Sequence, residues 1–341
     1  MEKRVSLKDI ARAVGVSTAL VSYVLNNQKE NRIGKEVAQK IREAAKALNY
    51  RPNHIAKSLK TRKTHTLGLI VADIANPFFS TLARIIEDEA EKAGYSVIFA
   101  SSDEKAERSQ KLTEILLDRQ VDGIILAPAE DTEAHIKSLQ EKGVPMVLID
   151  RYFPGLSLGT VVVDNYAAAY QCAAHLVKAG YQRVGMIGFQ TKLLHLQDRK
   201  RGFINALNDL GVTATNGQIR EISLEASREE VESAMTHLLS GPQPVDALFF
   251  ASNKLSTCGV KYINALPLQV PEDLGICSFD ESEATELFYV SLTHVRQPLQ
   301  EMGKQAVRLL LQRMDKEKKI EQLQLSAELV AGKSTRREQS Q

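Results

Sequence analysis

Two rhythms of apolar positions divide the chain. Over residues 6–50, apolar residues recur at helical spacing in three short blocks. The block Leu7–Val14 is opened by Ser6 and Asp9, a pattern resembling a capping box. Gly15 stands where a helix should end, and Ser17 can cap the next block. That second block, Ser17–Asn26, keeps Val21, Val24 and Leu25 on one side. The third, Lys35–Leu48, places Val37, Ile41, Ala44, Ala45 and Leu48 on one face and Lys40, Arg42 and Lys46 on the other. Pro52 stops continuation. The segment Asn53–Lys60 can be helical, but it is too short and too basic to be stable alone in water.

From Thr66 the rhythm changes to apolar strands alternating with amphipathic helices. The predicted order is Leu67–Ala72, Phe78–Lys92, Val97–Ala100, Ser109–Arg119, Gly123–Leu126, Glu133–Glu141 and Val144–Ile149. A second series follows: Val161–Val163, Ala167–Lys178, Val184–Ile187, Arg199–Leu210, Ile219–Ile222, Arg228–Leu239, Ala247–Phe250, Leu255–Ala265 and Gly275–Ser278. A helix at Leu299–Asp315 and a strand near Leu325–Val330 close the pattern. Such alternation with short turns predicts parallel sheets covered on both faces, here two doubly wound subdomains. Ligands of these folds bind beyond the carboxyl ends of the strands, which places a site in the cleft between the lobes. Neither a G-x-G-x-x-G run, nor a P-loop, nor H-E-x-x-H is present, and there is no internal repeat of 20–50 residues.

Composition adds an asymmetry. The 341 residues are 43% hydrophobic and 25% charged, and no apolar run reaches the roughly 20 residues that span a bilayer. The first residues carry charge without an apolar stretch, so no secretory signal is expected. Cys172, Cys258 and Cys277 form no CxxC pair, which points to buried thiols in a reducing cytoplasm, with no disulfide framework and no metal or other cofactor. The net charge of +2 is unevenly spread: residues 1–65 hold 15 Lys/Arg against 5 Asp/Glu, a balance of +10, and the remaining 29 and 37 leave −8. A basic head on an acidic body suggests nucleic-acid contact through the head alone, although charge by itself fits a solvated basic face equally well.

Two short helices joined by a tight Gly-containing turn, Ala13–Ser17, form the helix-turn-helix pattern. On spacing alone an ordinary three-helix core remains open. In the helix-turn-helix reading the second helix enters the major groove. Thr18 and Ala19 are small enough to reach thymine methyl groups, and Ser17 and Ser22 suit phosphate oxygens.

The run Leu-Lys-Asp-Ile-Ala-Arg-Ala-Val-Gly-Val-Ser-Thr-Ala-Leu-Val-Ser-Tyr-Val-Leu-Asn (7–26) resembles the signature of the lactose/galactose repressor family. So do Ala-Leu-Asn-Tyr-Arg-Pro-Asn-His-Ile-Ala-Lys-Ser-Leu (47–59), Asp73–Ser80, Val121–Ile125, Asp164-Asn165, Arg199-x-x-Gly-Phe203, Pro271–Gly275, Ser278–Glu281 and Gln297-Pro298. The resemblance covers nearly the whole chain. It implies an all-α helix-turn-helix head (1–51), a hinge helix and linker (52–64), and an α/β two-lobed, periplasmic-binding-protein-like domain (65–341). The near lobe would hold about 65–160 and 292–322, the far lobe about 161–291 and 323–336.

By the same resemblance the hinge helix folds on DNA, with Leu59 as the leucine wedged into the central base step and Ala56 as the small residue facing the minor groove. An apolar wedge unstacks a step at roughly a few kcal/mol, offset by new contact surface. Asn53 and His54 join Ser17, Thr18, Ala19, Ser22, Tyr23 and Asn26 in the implied DNA-binding set. Tyr23 stands where the family usually has Arg, so the half-site sequence cannot be carried over.

For the cleft the resemblance points to Asp150, Arg199, Asn253 and Asp280 as polar contacts and to Phe78 and Phe79 as an aromatic wall, with Arg151, His195 and Gln297 beside them. At least one of the two phenylalanines should also serve the core, and His195 reads equally as packing. Lys254, if it faces the cleft, would join Arg199 in favouring an anionic ligand such as a sugar acid. The expected partners are pseudo-palindromic double-stranded operator DNA, a sugar or sugar-acid effector, and a second copy of the chain, with no membrane. The reading that results is a sequence-specific repressor, not an enzyme, controlled by a small polar ligand. Its rivals are a solute-binding protein of the same two-lobed fold, a glycoside-processing enzyme using Asp150, Asp280 and His195, and a nonspecific architectural DNA protein.

Overall fold

The computed structural model describes residues 5–27, 32–50, 63–212, 218–315 and 319–336. The chain divides into two compact units, 1–64 and 65–341.

In the first unit, α1 (Leu7–Val14), α2 (Thr18–Leu25) and α3 (Lys35–Ala47) enclose a core of Ile10, Ala11, Val21, Val24, Ile41 and Ala45. The Asp9 carboxylate accepts from the Ser6 backbone N–H at 2.9 Å and from the Ser6 hydroxyl at 2.7 Å, which fixes the start of α1. Gly15 ends it with a φ of +75°, a left-handed conformation that costs a residue with a side chain and costs glycine little. Two residues later Ser17 caps α2, its Oγ accepting from the Leu20 N–H at 3.2 Å.

The second unit is built on two six-stranded sheets. The near-lobe sheet contains β1 (Thr66–Val71), β2 (Ser96–Ser101), β3 (Gly123–Leu126), β4 (Met146–Ile149), β5 (Gly159–Val163) and β11 (Gln322–Leu325), in the order β11-β5-β4-β3-β1-β2. The far-lobe sheet contains β6 (Val184–Phe189), β7 (Ile219–Ile222), β8 (Ala247–Phe250), β9 (Gly275–Phe279), β10 (Thr293–Arg296) and β12 (Glu328–Val330), in the order β12-β10-β9-β8-β6-β7. Every pairing is parallel except β10 with β12. Helices α4 (Pro77–Lys92), α5 (Ala106–Asp118) and α6 (Glu133–Glu141) connect the near-lobe strands, and α8 (Leu194–Asp209), α9 (Arg228–Ser240), α10 (Asn253–Ile263) and the short α11 (Glu283–Leu287) connect the far-lobe strands. Each lobe takes one further helix from a crossing segment. Helix α7 (Asn165–Lys178) packs with the far-lobe core and α12 (Leu299–Met314) with the near-lobe core.

Two sequence expectations are corrected. The single strand expected near Leu325–Val330 is two strands, β11 and β12, one in each sheet, because the chain crosses between lobes at Ser326 and Ala327. β10 was not foreseen, since Thr-His-Val-Arg lacks an apolar run. The crossings therefore follow Val163, Arg296 and Leu325 rather than lying near 161, 292 and 323. Among the described residues no helix is long and apolar enough to cross a membrane, and no cluster of three or more His, Cys, Asp and Glu could hold a metal ion.

Candidate functional site

On α2 the buried face is Val21 and Val24. Thr18, Ala19, Ser22, Tyr23 and Asn26 form the opposite stripe, with Thr18, Ala19 and Asn26 exposed and Ser22 and Tyr23 half-buried. Asn26 Nδ2 donates to the Ser22 carbonyl at 2.8 Å, so part of its hydrogen-bonding capacity is used within the helix. The capping bond occupies one lone pair of Ser17 Oγ and leaves its O–H able to donate outward. The hinge candidates Asn53, His54, Ala56 and Leu59 lie outside the described residues.

In the second unit the strand ends of both sheets converge on one cleft. Its lining includes Phe78, Phe79, Asp150, Arg151, His195, Arg199, Asp280 and Gln297, eight of the nine residues expected there. The ninth, Asn253, does not line the cleft. Its Nδ2 donates to Asn76 Oδ1 at 2.8 Å and links the two lobes.

Asp150 follows β4 and Asp280 follows β9, in equivalent places of the two sheets. Both adopt left-handed φ angles, +67° and +76°, a strain of about 1–3 kcal/mol that a fold retains where the surroundings dictate it. Asp280 is held by Gln297 Nε2 on Oδ1 and by the Asn253 N–H on Oδ2 at 3.4 Å. Asp150 lies 3.4 Å from Arg151 Nε. Burial raises the Asp150 carboxyl to about 6, against the opposing pull of Arg151 and Arg199.

Arg199 is positioned by close helix packing. A Cβ on Gly202 would lie 2.2 Å from the Tyr166 carbonyl oxygen, so only glycine lets α8 approach α7 this closely. One turn earlier, Arg199 Nε then donates to Asn165 Oδ1 at 2.8 Å and Nη1 to the Ala251 carbonyl at 2.7 Å. Its guanidinium lies 3.4 Å over the Phe279 ring centroid. Burial lowers its pKa, partly countered by Asp280 and Asp150.

Arg151 forks onto Glu104, both bonds at 2.6 Å, and donates to the Pro128 carbonyl at 3.2 Å. Burial opposes its charge, but Glu104 and Asp150 outweigh it and raise the Arg151 pKa. His195 is held neutral: burial, then Arg151 and Arg199, push its pKa well below 6.5. Its Nδ1 and Gln297 Oε1 are buried without a hydrogen-bond partner among the described residues. Phe78 and Phe79 meet edge-on with centroids 4.9 Å apart, and both also belong to the near-lobe core.

The lining also holds Asp73, Asn76, Glu104, Phe189, Leu196, Leu224 and Ser252, which sequence reasoning missed. Glu104 sits three residues past the end of β2 in a stretch that reads as a polar turn. Position after a strand end was the signal that could have found it. Lys254 lines the cleft, but its ammonium donates to the Glu225 and Leu224 carbonyls. Hydrogen bonds to neutral carbonyls orient that ammonium and leave its positive charge in the lining.

Residues 6–53 match the family described as bacterial regulatory proteins, lacI family, and residues 64–333 match periplasmic binding proteins and sugar binding domain of LacI family. This chain belongs to the lacI family. It is a DNA-binding transcriptional regulator with a sugar-binding-type domain. Similar proteins include the catabolite control protein A of Priestia megaterium, 31% identical over 92% of this chain and 93% of that one. The ribose operon repressor of Halalkalibacterium halodurans is 30% identical over 91% of each. Among solved structures, the lac repressor dimer bound to operator and the anti-inducer ONPF matches this lacI-family chain with a TM-score of 0.86, covering 98% of this chain and 99% of that one. At 21% identity that match speaks for the fold alone.

Proposed function

We propose that a small, neutral polyhydroxylated ligand in the interlobe cleft controls the affinity of this regulator for a pseudo-palindromic operator. The observation that carries the reading is the meeting of Asp150, Asp280 and Arg199 in one cleft, each with a donor or acceptor edge suited to vicinal hydroxyls. The cavity's charged lining comprises the carboxylates Asp73, Glu104, Asp150 and Asp280 against Arg151, Arg199 and Lys254. Arg151 and Glu104 cancel as an ion pair, which leaves Asp73, Asp150 and Asp280 against Arg199 and Lys254. The balance favours a neutral sugar over a sugar acid. Gln297 Oε1 and His195 Nδ1 add acceptors for further hydroxyls.

The head acts as one half of a symmetric pair, since a C2 dimer presents two recognition helices to a two-fold operator. Thr18, Ala19 and Tyr23 read bases, while Ser17, Ser22 and Asn26 contact phosphates or sugar edges. Ligand changes operator affinity only through its differential affinity for two lobe arrangements, a coupling of about 1–3 kcal/mol that is reciprocal. An enzymatic reading gains nothing from the site: His195 has no hydroxyl or thiol hydrogen-bonded to it among the described residues, and the relatives are transcriptional regulators.

A thermal-shift screen of pentoses, hexoses, cellobiose, gluconate and purine nucleosides tests this reading. Neutral sugars should raise the melting temperature, Arg199→Ala should abolish the shift, and the active sugar should alter operator binding in a gel-shift. A shift by gluconate alone would overturn the charge argument. For the head, Tyr23→Arg should change the half-site selected from a random operator pool while preserving binding. Identical selected half-sites would remove Tyr23 from base reading.

A further inference from the structure

Two hydrogen-bonded clasps join the lobes at the carboxyl ends of the strands. In one, Asn253 after β8 donates to Asn76 after β1. In the other, Glu130 after β3 accepts from Thr191 Oγ at 2.7 Å and from the Lys192 N–H at 3.1 Å, both after β6. The strand orders make β1 equivalent to β6 and β3 to β8, so each clasp is the other with the lobes exchanged. They differ in chemistry. The Asn pair is neutral, whereas Glu130 offers a carboxylate, and hydrogen bonds to an ionised acceptor are roughly twice as strong.

The Glu130 clasp has no direct place in the cavity, because neither Glu130 nor Thr191 nor Lys192 lines it. It does grip the segment that leads into α8. Thr191 Oγ accepts from the Leu193 N–H at 3.1 Å, and the Thr191 carbonyl accepts from Gln197 Nε2 at 3.1 Å. His195, Leu196 and Arg199 follow in the first turns of that helix and do line the cavity. A neighbouring pair, Lys192 Nζ to Asp131 at 3.1 Å, is largely exposed and adds little.

We propose that Glu130 is a positioning residue for the ligand cavity. It draws the near lobe onto the start of α8, holds His195 and Arg199 over the ligand, and never touches the ligand itself. This rests on the reading of the cavity as the ligand site. Its consequence is a closed arrangement stabilised before ligand arrives, so that ligand leaves through an opening step the clasp opposes.

Small-angle X-ray scattering of the ligand-free full chain tests closure without any ligand. Glu130→Ala should give a larger radius of gyration than the parent, and Arg199→Ala, which removes a cavity contact but no clasp, should scatter like the parent. Glu130→Gln keeps one acceptor oxygen, guards against a folding defect in the alanine variant, and should fall between. With D-ribose and cellobiose as the probes, whichever binds the parent should dissociate at least about tenfold faster from Glu130→Ala, since two bonds to the carboxylate are lost and one alone is worth about that factor. Scattering from both Glu130 variants superimposable on the parent's overturns the clasp, whatever the sugars do. Failure of both sugars to bind the parent counts against the cavity reading for those sugars and leaves the scattering result to decide the clasp.

Discussion

The two lobes share a strand order and differ in how they spend it. In both, five parallel strands carry their connecting helices on the two faces, and a sixth strand is added at the end of the chain. In both, an aspartate with left-handed φ follows the fourth strand, at Asp150 and Asp280. The far-lobe copy is satisfied by Gln297 and by the Asn253 N–H, whereas the near-lobe copy is a buried carboxyl beside an arginine whose fork is committed to Glu104. The same backbone thus produces one pre-oriented acceptor and one carboxyl whose charge is costly. A site made from two copies of a fold needs only side-chain neighbours, not new topology, to become asymmetric.

The helix packing shows the same divergence and offers the strongest way to break the comparison. The α7–α8 contact of the far lobe corresponds to the α12–α4 contact of the near lobe, and each contains a glycine. A Cβ at Gly202 meets backbone, the Tyr166 oxygen at 2.2 Å, while a Cβ at Gly303 meets the Ile85 side chain at 2.5 Å. Side chains can turn aside and backbone cannot. Gly202→Ala should therefore cost about 3 kcal/mol or more in urea unfolding and displace Arg199, whereas Gly303→Ala should cost about 1 kcal/mol or less. Equal losses would mean that both contacts yield alike.

The aspartates provide the next largest contrast. Asp150 has its folded-state carboxyl at about 6 against 3.8 for the free group, so the folded state holds the proton more tightly. The stabilisation this brings is fully present below pH 3.8 and is lost as pH rises through 6. Asp150→Asn removes the charge burden and should raise stability at pH 7.5 by about 3 kcal/mol, with the gain gone near pH 4. Asp280→Asn should instead lose about 1 kcal/mol, because its amide presents a donor to Gln297 or to the Asn253 N–H. Unfolding midpoints across pH measure both, and a pH-independent Asp150→Asn difference would remove burial as the cause. The smallest effect belongs to the exposed partner of the clasp: Lys192→Ala should leave the unfolding midpoint unchanged within error, and a clear loss would shift weight from Glu130 to the Lys192–Asp131 pair.

Sequence reading reached the elements where local signals agree. Gly15 and Ser17 mark the turn of the head, and apolar runs such as Leu-Gly-Leu-Ile-Val mark buried strands. Cleft residues were legible where a motif or a strand end announced them, as at Asp150, Arg199 and Asp280. What stayed hidden depended on partners remote in sequence. Asn253 looks like a ligand contact until Asn76, from the other lobe, takes its amide. Glu104 reads as a turn residue until Arg151, brought alongside from another strand end, forks onto it. Periodicity announced two doubly wound subdomains but not their matching strand order, which no repeated residues mark. β11 and β12 escaped because two short strands separated by two residues look like one, although they serve different sheets.

The three crossings carry a consequence for damaged or shortened versions of the chain. Neither lobe is a contiguous stretch: the near lobe ends its first passage at Val163 yet depends on α12 and β11, more than a hundred residues further on. Met302, Ala306, Leu309 and Leu310 of α12 fill its core beside Leu82 and Ile86. A ribosome that has finished β5 has not yet made the material that completes the near lobe, so a premature stop anywhere before Met314 leaves both lobes unfinished and no half of the ligand domain able to stand alone.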